Sequence, residues 1–281
     1  MQFHLIGPFR ITTDEGDTFA PKAPKICQML AVLALQPREP VATETLVREL
    51  WGENPPSGAP RTLQTHVYHA RRMLHDAQVV SGERKLLLTQ APGYFLDIAR
   101  SEVDACVFEE LVRSAQRELH QGAPEKAAAH LDRARTLWRG PMLSNVPIAG
   151  VLTGRIAHME ELRIRALELR VETEFQLGRY REVLPELRIL VNDHPLHEWF
   201  HGRLISALHR AGRRAEALQA YQNLYSVLRR ELGLEPSEEL QRLQAEILNA
   251  GTDDHLLPMR RPKNPSATAG FAPLWATVAA S

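Results

Sequence analysis

In the first twenty positions apolar residues alternate with polar ones. Phe3 and Leu5, then Phe9 and Ile11, are separated by Gly7-Pro8, and Gly16-Asp17 marks a turn before Phe19. That period predicts short strands. From Lys22 it lengthens: Ile26, Leu30, Leu33 and Ala34 recur at helical spacing until Pro37 and Pro40 stop the helix near Gln36. Thr43 stands where a side-chain N-cap is expected, ahead of a short helix with Leu46, Val47 and Leu50 inside. Gly52 and the Pro/Gly-rich run from Pro55 to Pro60 predict a loop, and Pro60-Arg61 opens a third helix. Lys85–Thr89 reads as a strand, Gln90-Ala91-Pro92-Gly93 as a turn and Tyr94–Ile98 as the returning strand. Strands, three helices and a β-hairpin in this order predict a winged helix-turn-helix whose third helix enters a groove of DNA.

That third helix, Arg61 to Leu74, carries the chemistry. At about 100° per residue, Leu63, Val67, Ala70 and Leu74 form one narrow apolar stripe. Arg61, Thr65, Tyr68 and Arg72 fall on the opposite side, with Gln64 and Arg71 on the flank and no carboxylate before Asp76. Arg and Gln can bond base edges bidentately, and Arg, Thr and Tyr can hold phosphates. An ordinary amphipathic surface helix would show the same stripe but would not need its outer face free of acids.

From Asp104 onward the pattern is helical almost throughout. Apolar periodicity runs through Phe108–Leu111, Ala127–Leu137, Leu162–Leu177, Val183–Val191, Phe200–Leu208, Ala215–Leu228 and Leu240–Leu248. Short turns at Gln121-Gly122-Ala123, Leu177-Gly178-Arg179-Tyr180 and Ala211-Gly212-Arg213-Arg214 pair these helices. The segment from Ala207 to Tyr221 resembles a tetratricopeptide repeat, whose hairpins bury both faces only by stacking. Trp138, Trp199 and the Tyr221/Tyr225 pair are expected as packing anchors. The reading is thus mainly α with a small β part: a winged helix over 1–100, a helical repeat domain over 101–250 and a disordered tail over 251–281. In the tail Pro258, Pro262, Pro265 and Pro273 interrupt a Ser/Thr/Ala mix; Phe271, Leu274 and Trp275 would suit docking on a partner, but a frayed tail is the favoured reading. A fragment ending at residue 100 is expected to fold alone and to bind a half-site weakly.

Charge sharpens the picture only locally. The 281 residues balance 34 Lys/Arg against 34 Asp/Glu, so any nucleic-acid footprint must be a patch. Residues 55–90 supply it, with five Lys/Arg against two Asp/Glu. Cys27 and Cys106 lie far apart without metal-ligand spacing and read as small buried hydrophobes. Neither a signal pattern nor a long apolar run is present, so a cytoplasmic protein without membrane contact is expected. The histidines are scattered. His66/His69 and His194/His197 lack an acidic third ligand, and Glu160-Glu161 and Glu238-Glu239 read as solvated helix faces. No metal, cofactor or catalytic centre is expected, and an enzyme is disfavoured.

Several strings resemble a known family. Leu5-Ile6-Gly7-Pro8-Phe9, Leu50-Trp51-Gly52, Thr62–Val67 with Arg71-Arg72-Met73-Leu74, and Pro92-Gly93-Tyr94 look like the OmpR-type DNA-binding domain of SARP (Streptomyces antibiotic regulatory protein) transcription activators. Gly140-Pro141-Met142-Leu143, His194-Pro195-Leu196-His197-Glu198, Ala211–Leu218 and Glu231–Pro236 resemble the bacterial transcriptional activator domain of the same family. The resemblance implies a pathway-specific activator of a biosynthetic gene cluster. Such a protein binds direct repeats near promoters, sits beside a second copy of itself and engages RNA polymerase. Two departures stand out. The wing turn Gln90-Ala91-Pro92 carries no cation, so wing contact with phosphate rests on Arg84 and Lys85. The stretch between Val146 and Arg155 lacks the Trp that relatives often have there. No Walker sequence, nucleotide-binding domain or receiver domain is recognisable, which reads as the short form of the family. The competing reading is a helical-repeat adaptor whose N-terminal domain binds protein or RNA.

Overall fold

A computed structural model describes residues 1–79 and 84–249, so the expected tail lies outside the described residues. Three short strands, β1 (Gln2–His4), β2 (Arg10–Thr12) and β3 (Thr18–Phe19), form an antiparallel sheet in which Phe3 faces Ile11 and Ile11 faces Phe19. Helix α1 (Pro24–Ala34) follows. The short strand β4 (Val41–Ala42) then leads into α2 (Thr43–Trp51) and α3 (Ala59–Asp76). Strands β5 (Leu87–Gln90) and β6 (Gly93–Leu96) make the hairpin, and β6 sits between β4 and β5. Gly93 is demanded by this sheet: a Cβ there would lie 1.8 Å from the Val41 carbonyl oxygen.

Thr43 does not cap α2. Its hydroxyl donates to the Pro92 carbonyl at 3.1 Å, and the cap position falls to Ala42. The threonine fastens the helix to the wing turn, a partner almost fifty residues away that local spacing does not reveal.

The second half is the expected stack of helices: α4 (Asp104–His120), α5 (Pro124–Leu137), α6 (Gly150–Gln176), α7 (Leu184–Asp193), α8 (Glu198–Arg210), α9 (Arg214–Leu232) and α10 (Glu238–Asn249). Three of the expected anchors lie in or against the cores, whereas Tyr225 is only half-buried and belongs to neither core. Trp138 packs on Phe108, Trp199 on Phe200, and Tyr221 is buried. Helix α6 begins twelve residues before the periodicity announces it, where a carboxylate of α2 receives its first turn.

One hydrophobic core runs from Phe3 to Leu169, across the expected boundary at residue 100. A second core, Val171 to Ile247, belongs to the distal helices. The β1–β2 end is stitched to the second half by polar contacts. Phe3 bridges to Val103, and the Leu143 N–H donates to the Leu5 carbonyl. Asn145 Oδ1 accepts from the Phe9 N–H at 2.6 Å. Asp104, fully buried, accepts from the Leu5 and Ile6 N–H groups and from Arg139 Nη2 at 2.7 Å. Cutting the chain at 100 would expose Phe3, Leu5, Ile6 and Phe9 and orphan those backbone groups. The structure therefore speaks against the expectation that residues 1–100 fold alone.

Candidate nucleic-acid interface

Helix α3 is held by its stripe. Leu63, Val67, Ala70 and Leu74 are all buried, and they pack the helix against α1 and α2. The opposite side is open. Arg61, Gln64, Thr65, Tyr68, Arg71 and Arg72 are all exposed, with Tyr68 at 60 %. The structure thus brings the six expected residues onto one outward surface.

They are not equivalent. Neither Arg61 nor Gln64 has a side-chain partner among the described residues. Thr65 Oγ1 donates back to the Arg61 carbonyl at 3.3 Å, leaving its lone pairs outward. Arg72 makes an exposed contact to Asp76 at 3.4 Å, one helical turn on. A pair of this kind is worth about 0.3–0.5 kcal/mol and gives way readily to a phosphate or a base edge. Arg71 is committed. Its Nε donates to the Leu87 carbonyl at 2.9 Å and Nη2 to Thr89 Oγ1 at 2.7 Å, so it ties α3 to the hairpin.

The wing residues also divide. Arg84 turns inward, donating to the Asp97 carbonyl and lying 3.7 Å from the Asp97 carboxylate and 3.8 Å from that of Glu102. Lys85 is exposed, with no partner among the described residues. Between helix and wing lies a cleft of about 1200 Å³ whose lining includes Tyr68, Arg72, His75, Lys85, Thr89 and, as its carboxylate, Glu15.

Two arrangements escaped the sequence reading, the first beneath the α3 surface and the second outside the interface. Trp51, at the end of α2, stacks on His66 of α3 with centroids 5.9 Å apart, and Lys25 Nζ lies 4.6 Å from the centroid of the Trp51 ring. Lys25 also donates to the Leu50 carbonyl at 2.6 Å. Burial, then the charges of Lys25 and His69, push His66 below the usual histidine range. A lysine in the first turn of a helix, where the macrodipole disfavours it, was the available signal. The second is Glu49, a carboxylate three residues from Leu46 on the buried face of α2.

No group of three or more His, Cys, Asp or Glu is placed to hold a metal among the described residues. None of their helices is long and apolar enough to cross a membrane. Cys27 and Cys106 are buried free thiols, each pushed up by burial.

Comparison with known proteins gives the family and the fold. The family model described as "Transcriptional regulatory protein, C terminal" matches residues 20–96, and "Bacterial transcriptional activator domain" matches residues 103–248. The regulatory protein DnrI of Streptomyces peucetius is 39% identical over 254 residues, covering 89% of this chain and 93% of its own. AfsR of Streptomyces coelicolor is 33% identical over 97% of this chain, which spans only 26% of that larger protein. A solved structure of Mycobacterium tuberculosis EmbR, in complex with a low-affinity phosphopeptide, superposes with a TM-score of 0.81 at 30% identity. It covers 89% of this chain and 65% of the EmbR chain. With a DNA-reading winged helix joined to an activator domain, the chain belongs to the SARP family of bacterial transcriptional regulators.

Proposed function

We propose that the protein activates transcription of a biosynthetic gene cluster by reading direct repeats near a promoter through α3, with a second copy alongside and RNA polymerase as its target. The observation that supports this reading most is the outer face of α3. Arg61, Gln64, Thr65 and Tyr68 stand there without a carboxylate among them, while the inner stripe is fully buried. In this reading Gln64 and Arg72 contact base edges, and Arg61, Thr65 and Tyr68 hold the backbone on either side. Arg71 sets the wing against the helix and contributes its remaining N–H groups.

The test is quantitative footprinting of the full-length protein on DNA upstream of its neighbouring genes. Arg72→Ala and Gln64→Ala should each lose about 1–3 kcal/mol of discrimination between the cognate site and random DNA. Equal losses on both would move these residues to the phosphates. Inserting about five base pairs between repeats turns one site to the far side of the duplex and should abolish joint occupancy. Undiminished occupancy would remove the paired-copy arrangement.

A further inference from the structure

Glu49 belongs to the helix that braces α3, yet its carboxylate serves the other half of the protein. The residue is 2 % exposed, and Oε2 accepts the Val151 N–H at 2.6 Å. Its backbone carbonyl accepts Gln28 Nε2 from α1 at 2.8 Å, so α1, α2 and α6 meet at this one residue. Val151 lies in the first turn of α6, where N–H groups have no partner within the helix and the dipole favours negative charge. Gly150 belongs to the same arrangement. It holds φ +31°, and a Cβ there would come within 2.7 Å of Oε2.

Stability alone is a poor account of this contact. Oε1 is buried without a partner, and an apolar side chain would fill the site without desolvating a carboxylate. What the carboxylate adds is direction. Helix α6 has 27 residues, a rod of about 40 Å, and carries the distal helices at its far end. A tilt of about 10° at its root moves that end by about 7 Å.

We infer that Glu49 is a positioning residue that locks the angle between the α2–α3 pair and α6, so that docking α3 in a groove also aims the repeat array. The lock is a property of this chain alone. Its effect on paired sites rests on the direct-repeat reading above, and two measurements keep the two apart.

In the first, spin labels are placed at the exposed positions Glu44→Cys on α2 and Gln222→Cys on α9, with the buried native thiols of Cys27 and Cys106 out of reach. Pulsed EPR on the full chain should give a narrow distance distribution. Glu49→Ala should broaden it, and Glu49→Gln, which keeps an acceptor for Val151, should restore it. If Glu49→Ala folds poorly, Gly150→Ala displaces the carboxylate from the other side and should broaden the distribution in the same way. A distribution that neither Glu49→Ala nor Gly150→Ala alters overturns the inference. In the second, Glu49→Ala should bind a single site as the parent does but lose about tenfold of the preference for correctly spaced repeats. Broadening together with an unchanged spacing preference upholds the lock and removes the direct-repeat reading instead.

Discussion

At the scale of single residues, the proposed interface separates side chains with no partner among the described residues from those already engaged. Lys85 has no partner among the described residues, and Lys85→Ala should weaken binding to every DNA sequence alike and make the dependence of log affinity on log salt shallower by about one unit. Arg84 reaches a phosphate only by leaving Asp97 and Glu102. Arg84→Ala should therefore leave the salt slope unchanged while lowering the melting temperature, and a shallower slope would place it on the DNA. Asp104 is the opposite extreme, a buried carboxylate gathering two backbone N–H groups and a guanidinium. Replacing it with Ala leaves the buried Leu5 and Ile6 N–H donors unpaired, while the partly exposed Arg139 turns to solvent, so unfolding should become easier by about 1–3 kcal/mol. Asp104→Asn keeps an acceptor for Leu5 and should lose less, as denaturant titration would show.

At the scale of elements, what could be read in the sequence was what is local. The stripe of α3, the stop of α1 before Pro37, and the Gly178 and Gly212 turns follow from periods of two and 3.6 residues and from glycine's freedom at positive φ, and each stands as expected. The six outward residues of α3 were legible for the same reason. What escaped depends on distant partners: Thr43 on Pro92, Arg71 on the hairpin, and the start of α6 on a carboxylate a hundred residues upstream. His201 in α8 is another such case. Burial pushes it below the usual histidine range, although its Nε2–H donates to the Pro195 carbonyl and nearby Glu198 opposes the shift. Because the unfolded chain takes up this proton first, the stability it represents is complete above about pH 6.5 and is lost as pH falls from there towards the depressed value. Melting temperatures measured downward from neutral pH should therefore drop less steeply in His201→Gln, which keeps a donor for Pro195. An unchanged slope would assign the drop to other groups.

At the scale of the whole molecule, the polypeptide does not divide where its family models meet. The larger core joins the reading domain to α4, α5 and most of α6, and Arg170 marks the seam with the distal core by reaching Asp132 on one side and Glu186 on the other. A fragment of residues 1–100 should accordingly lack a cooperative melt, whereas one of residues 1–170 should keep it. A sharp transition in the shorter piece would show that the first sheet is stable without α4. The same continuity bears on how new regulators of this kind can arise by recombination. A chimaera joined at residue 100 must re-match Leu5 to Asp104, Phe9 to Asn145 and Glu49 to Val151 all at once. Rewriting the outward side chains of α3 disturbs none of these seams. If α3 reads the operator as proposed, substitution on one helix face is the short route to a new operator, and exchanging whole heads between relatives is the harder one.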